Sequence, residues 1–187
     1  MASIPDALKL TYDDYQCLPD DGKRHEIIDG EHVATPAPST QHQRISGNLF
    51  LFLGSHIRQT RAGELFAAPT DVRLSDVDVV EPDLLFIATG RLSIITPQYI
   101  QGPPDLVIEI LSETTRRRDE VVKRKLYERF GVAEYWVVDP ELQTVKYYRL
   151  DSQRYILAGE YALERDDCIT TPLFPTLPIP LRDIFVM

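Results

Sequence analysis

A chain of 187 residues, 43% hydrophobic and 26% charged, has apolar material for one well-packed globular domain (residues 1–187) and too little length for two ordinary ones. Its formal net charge of -9 argues against indiscriminate adhesion to nucleic acid, which needs positive potential. Two cysteines, Cys17 and Cys168, form neither a C-x-x-C pair nor a multi-bridge framework, so a cysteine zinc site is not expected.

No apolar run approaches membrane-spanning length. The stretch from Met1 to Asp6 lacks the basic-then-apolar pattern of a secretory leader, so no membrane association and a reducing, cytoplasmic location are expected. One segment departs from the overall acidity: seven basic residues, namely Arg116, Arg117, Arg118, Lys123, Arg124, Lys125 and Arg129, crowd together.

In chain order, Thr11-Tyr12-Asp13-Asp14 reads as a capping box that opens a short helix ending before Pro19. Arg24 to Ile28 and Glu31 to Ala34 flank Asp29-Gly30, a dipeptide suited to a two-residue hairpin turn. Pro36 and Pro38 mark a loop, after which Thr40 with Gln43 predicts a capped helix to about Gln59, with Ile45, Leu49, Phe52 and Leu53 on one face. Strands are predicted at Glu64 to Ala68, Asp71 to Leu74, Leu84 to Ile87 and Leu106 to Leu111, with Pro69 interrupting the first two. A helix from about Arg116 to Phe130 stops at Gly131, a good C-terminal cap. Tyr135 to Val138 is a strand closed by Asp139-Pro140, and Val145 to Leu150 with Tyr155 to Ala158 reads as a meander. Strands on both sides of two long helices imply an α/β fold: a mixed sheet flanked by helices, preceded by an N-terminal helix and hairpin. The tyrosines Tyr147, Tyr148 and Tyr155 fit either a core or a dimer surface.

The apolar strand Leu106 to Leu111 carries a carboxylate, Glu109. An ionised carboxylate taken out of water needs a proton, a cationic partner or a metal. On the following helix, Val122, Leu126 and Phe130 form an apolar stripe, with Asp119 inside its arc and Lys123 at its edge. Those two charges, four residues apart, form an ordinary surface pair on one reading and face the core on the other; Glu120 and Arg124 fall on the solvent side. Asp83, after Glu81-Pro82, stands at a strand entrance. Two carboxylates brought together by neighbouring strands need a proton or a hard cation between them, and oxygen donors suit magnesium or manganese.

The pieces His25-Glu26-Ile27-Ile28-Asp29-Gly30, His42, Glu81-Pro82-Asp83, Pro104 to Ser112, Asp119 with Lys123 and Tyr127, and Gly131 to Pro140 together resemble the Uma-type restriction endonuclease family, over nearly the whole chain. That family is placed in the PD-(D/E)XK nuclease superfamily. The resemblance implies a restriction-endonuclease-like core, a divalent metal and hydrolysis of DNA phosphodiesters. It places the motif aspartate at Asp83 and the glutamate at Glu109. The motif lysine would fall at Leu111, so the resemblance takes it from the next helix, at Lys123. Asp83 and Glu109, with the carbonyl of Ile110, are then the expected metal ligands, and Lys123 assists the attacking water. Glu26 is a further catalytic carboxylate, although its hairpin also reads as an exposed alternating strand. His42 and Asp119 are supporting groups, His42 lying on a helix face where a satisfied core histidine is more common. Arg116, Arg117 and Arg118 are candidate phosphate contacts at the rim. DNA is the expected partner, and a homodimer would suit double-strand cutting. Two other readings stay open: a nuclease fold that binds without turnover, and a structural protein in which the same charges form a buried ionic network.

Overall fold

The capping box at Thr11 closes in the computed structural model, which describes residues 9–186; Met1 to Asp6, on which the leader argument rests, lie outside the described residues. Thr11 accepts from the Asp14 backbone while the Asp14 side chain accepts from the Thr11 backbone, opening α1 (Tyr12–Tyr15). Strands β1 (Arg24–Ile28) and β2 (Glu31–Thr35) pair antiparallel through Asp29 and Gly30, whose φ angles of 53° and 79° are those of the expected turn. Helix α2 (Thr40–Thr60) is capped one residue earlier than expected: Ser39 is extended and its hydroxyl accepts from the His42 backbone, so Thr40 is already helical. The helix buries His42, Ile45, Leu49, Leu53 and Ile57.

The middle of the chain gives β3 (Gly63–Ala67), the two-residue strands β4 (Val72–Arg73) and β5 (Val79–Val80), β6 (Leu84–Ala88), β7 (Ile100–Gln101) and β8 (Leu106–Ile110). A π-helical segment, Arg118–Lys123, runs into α3 (Arg124–Phe130), followed by β9 (Glu134–Asp139), β10 (Thr144–Asp151), β11 (Arg154–Ala162), β12 (Cys168–Thr171), β13 (Phe174–Pro180) and α4 (Leu181–Phe185). The expected strand over Asp71 to Leu74 thus shrinks to two residues, and the strands divide among sheets. The larger sheet has the order β11-β10-β9-β8-β6-β3, antiparallel except for the parallel pair β8 and β9. A smaller sheet, β2-β1-β5-β4-β7, and the β12-β13 hairpin complete it. This is the expected mixed α/β fold, with mixed sheets flanked by helices. No helix among the described residues is long and apolar enough to cross a membrane.

Strand β8 is buried on both faces, which explains its unbroken apolar character. Ile108 and Ile110 pack with α2, α4 and the β12-β13 hairpin. Val107 and Leu111 point the other way, toward Leu126 and Tyr127 of α3 and the smaller sheet. Glu109 lies between these two on the same face and therefore points at the π-helical segment. Of the three tyrosines, Tyr147 belongs to the first core, while Tyr148 and Tyr155, partly buried, stack around Tyr135 beside the second.

The antiparallel pair β3 and β6 tolerates no side chain at Gly63. A methyl group there would lie 2.0 Å from the Ile87 carbonyl oxygen and 2.8 Å from the Phe86 ring. Gly63→Ala is expected to cost about 1–3 kcal/mol through overpacking. Thermal unfolding followed by circular dichroism checks this; an unchanged melting temperature would mean that the two strands can separate there.

The helix after β8 departs from the expected register. Val121 and Val122 are exposed, and the buried positions are Asp119, Lys123, Leu126 and Tyr127. Asp119, Lys123 and Tyr127 recur at four-residue spacing with Leu126 beside them, so the buried face runs along these residues and Val122 turns to solvent. Phe130 is only partly buried, and Gly131 takes the left-handed cap conformation with φ 80°. Glu120 and Arg124 are not merely solvated: Glu120 pairs with Lys146, and Arg124 stacks over the Tyr148 ring.

Candidate active site

Five elements converge on one cavity of about 220 Å³. The loop before β6 brings Asp83, β8 brings Glu109, β1 brings Arg24 and Glu26, the first turn of α2 brings His42, and the π-helical segment brings Arg118, Asp119 and Lys123. Of the groups singled out in the sequence, Glu26, His42, Asp83, Glu109, Ile110, Arg118, Asp119 and Lys123 all line it. Such grouping follows from topology, because antiparallel β6 and β8 start and end beside each other and the parallel crossover to β9 folds the π segment back over β8.

Lys123 is the hub. Its ammonium lies 2.7 Å from Glu26 Oε1, 2.9 Å from Glu109 Oε1 and 3.8 Å from Asp119 Oδ1, and the side chain is almost wholly buried. Burial would lower its pKa, but the three carboxylates outweigh that and hold it charged. Leu111, where the short motif would place a lysine, is buried in the apolar core, so the helix supplies the only such ammonium in the cavity among the described residues.

Glu109 also accepts a hydrogen bond from the Tyr127 hydroxyl at 2.8 Å. Burial pushes its pKa up to about 8; Lys123 opposes the rise, whereas Asp119, Asp83 and Glu26 add to it. Asp119 is raised by burial in the same way, against the pull of Lys123. Asp83 goes the opposite way. Burial raises its pKa, but the bond from His42 and the charge of Arg24, with the Ile110 N–H, overcome this and bring it to about 2. Its Oδ1 accepts from Arg24 Nη1 at 2.7 Å, and its Oδ2 lies 3.0 Å from His42 Nε2 and accepts from Ile110 N–H at 2.8 Å.

Three expectations are revised by this geometry. Glu26 does not lie on an exposed face: it is buried, contacts Lys123 and accepts from the Glu81 N–H at 3.0 Å. His42 is neither a free ligand nor a fully satisfied core histidine, since Nε2 reaches Asp83 while Nδ1 is buried without a partner among the described residues. The three arginines of the triplet have different surroundings. Arg116 is bound by Asp139 and Glu141, Arg117 is exposed, and Arg118 turns inward to donate to Thr35 Oγ1 at 2.7 Å.

Arg24 and Tyr127 are site groups that sequence reading missed as such. The signal for Arg24 was its position two residues before Glu26, on the same hairpin face. For Tyr127 it was the four-residue spacing from Lys123. Five buried carboxylates, Glu26, Glu81, Asp83, Glu109 and Asp119, face three basic side chains, Arg24, Arg118 and Lys123. Yet no group of three or more His, Cys, Asp or Glu among the described residues is arranged to hold a metal ion.

Comparison with known proteins points the same way as the fold. The sequence model of a family described as "Uma2: Putative restriction endonuclease" matches residues 12–182. Among solved structures, a "putative nuclease belonging to DUF820 from Anabaena variabilis ATCC 29413" superposes with a TM-score of 0.78 at 23% sequence identity, covering 94% of this chain and 97% of that one. No curated protein matches.

Proposed function

Since the chain belongs to the Uma2 family of restriction-endonuclease-like nucleases, we propose that it is a divalent-metal-dependent endonuclease that hydrolyses DNA phosphodiester bonds. The observation that carries this reading is the convergence of Asp83, Glu109 and Lys123, from three separate elements, on one buried cavity.

The donor set fits a hard divalent ion. It is made of oxygen atoms, its buried carboxylates outnumber its cations, and magnesium needs only one or two carboxylates because it keeps several waters. Asp83, Glu109 and the Ile110 carbonyl would hold the ion; manganese would serve equally. A bound ion supplies charge neutralisation at the phosphate and acidifies a water. This chain's own residues do the remaining work. Lys123 carries a fixed positive charge beside Glu109, where it orients the attacking water or stabilises negative charge on the phosphoryl oxygens. Tyr127 fixes the rotamer of Glu109, and His42 with the Ile110 N–H fixes Asp83. Glu26 and Asp119 hold Lys123 in place from its other sides.

The direct test is incubation of supercoiled and linear DNA with magnesium or manganese, comparing wild type with Asp83→Asn. Metal-dependent nicking that Asp83→Asn loses is expected; no cutting by wild type, or equal cutting by the variant, would overturn the reading. A metal-indifferent ionic network is the second reading, favoured by the three contacts that hold Asp83 and by the pairing of Lys123 with three carboxylates. It expects no change in melting temperature with either metal.

The divided arginines lead to a separate expectation. Arg117→Ala and Arg118→Ala should each reduce the slope of log affinity against log salt by about 0.9 for DNA. Arg116→Ala should leave the slope alone and lower stability, because it breaks the pairing with Asp139. Fluorescence anisotropy across a salt series decides; a slope change confined to Arg116→Ala would reverse the assignment.

A further inference from the structure

The β1-β2 hairpin has two working faces. One carries Arg24 and Glu26 into the cavity. The other carries His25 and His32, which lie diagonally across the ladder, since His25 pairs with Ala34 and Ile27 with His32. Their rings meet edge to edge, with centroids 5.1 Å apart and planes 11° from parallel, and His25 Nδ1 faces His32 Nε2 at 2.9 Å. The outer nitrogen of His25, Nε2, lies 2.9 Å from Asp21 Oδ1, while Asp21 Oδ2 is held by Lys23.

We infer that His25 Nδ1 and His32 Nε2 form a binding site for one borderline divalent transition-metal ion, such as zinc, nickel or copper(II), separate from the cavity. The tautomers make the case. A carboxylate accepts only, so Asp21 requires a proton on His25 Nε2, and His25 Nδ1 then presents a lone pair to His32. That carboxylate-to-outer-nitrogen contact is the arrangement that orients a metal-ligating imidazole and raises its basicity. Imidazole nitrogen selects this group of metals over magnesium. At metal–nitrogen distances of about 2.0–2.1 Å, two tetrahedral ligands stand roughly 3.3 Å apart, so the rings need to open by only about 0.4 Å. On binding, the proton of His32 Nε2 moves to His32 Nδ1, and two neutral rings release no net proton. Waters fill the remaining positions, in keeping with a site of two protein ligands.

The consequence reaches the cavity through β1. Strand β2 is the edge of its sheet, and an ion joining His25 to His32 would fasten it to β1 directly behind Arg24 and Glu26.

Isothermal titration of untagged protein with zinc or nickel, in excess magnesium to occupy hard oxygen sites, tests this. One equivalent should bind to wild type and raise the melting temperature. His32→Ala, at an exposed position, should lose that equivalent, and Asp21→Asn should weaken it by about 10–100-fold. Asp83→Asn should retain it, which separates this site from the cavity. No binding to wild type, binding that survives His32→Ala, or an equivalent lost with Asp83→Asn would each overturn the inference.

Discussion

Lys123→Met is expected to abolish cleavage and to lower the unfolding free energy by about 3–5 kcal/mol, because it removes one partner of a buried ionic cluster and leaves the others uncompensated. Glu26, Glu109 and Asp119 all lie within 3.8 Å of that one ammonium. Methionine preserves much of the volume, so the loss reads out charge and not a cavity. Without Lys123 the carboxylates bind protons more tightly in the folded state, so the deficit should be smaller at pH 5 than at pH 8. Urea unfolding at both values measures it. Cleavage assayed below the variant's melting temperature separates lost chemistry from lost fold. A variant as stable as wild type would mean that the cluster is solvated and that Lys123 is dispensable to it.

Glu109→Gln should also abolish cleavage, with the opposite signature in the metal-free protein. Burial, with the charges of Asp119, Asp83 and Glu26, raises the folded pKa of Glu109 to about 8, above the ordinary glutamate value of 4.5. The folded state therefore holds a proton that the unfolded state gives up. The associated stability is fully present below about pH 4.5 and is lost as pH rises through about 8, each displaced pKa unit being worth about 1.4 kcal/mol. Glutamine keeps an acceptor for Lys123 and Tyr127 and never ionises. In chelator, wild type should lose stability from pH 5 to 8 while Glu109→Gln stays flatter, with a residual slope from Asp119, whose pKa is also raised. Asp83 is lowered to about 2 and contributes only in strong acid, outside this window. Parallel pH profiles for the two proteins would show that Glu109 is ionised throughout.

Glu109 and Asp83 were legible because an apolar strand with one carboxylate, and an aspartate after a proline at a strand entrance, are local patterns with a physical cost attached. Lys123 and Asp119 were half legible. Their place near the apolar arc was visible, but the stripe Val122, Leu126 and Phe130 left Lys123 at its edge, and only the structure shows that Tyr127 takes the place of Val122 on the buried face. Arg24 was not assigned to the site because its partner, Asp83, is 59 residues away. Arg116 was grouped with its neighbours for the same reason: Asp139 and Glu141 come from the far side of α3. Glu26 fitted two faces equally well until β1 was placed beside β5.

What the sequence determined by itself is what depends on neighbours within a few residues. That covers the Thr11 capping box, the Asp29-Gly30 turn, the glycine stop at Gly131, the two-sided burial of β8 and the electrostatic problem posed by Glu109. Which cation answers that problem was decided only by the tertiary structure. The order of strands and the phase of one irregular helix set which side chains meet inside the cavity, and a shift of one residue in that phase exchanges Val122 for Lys123.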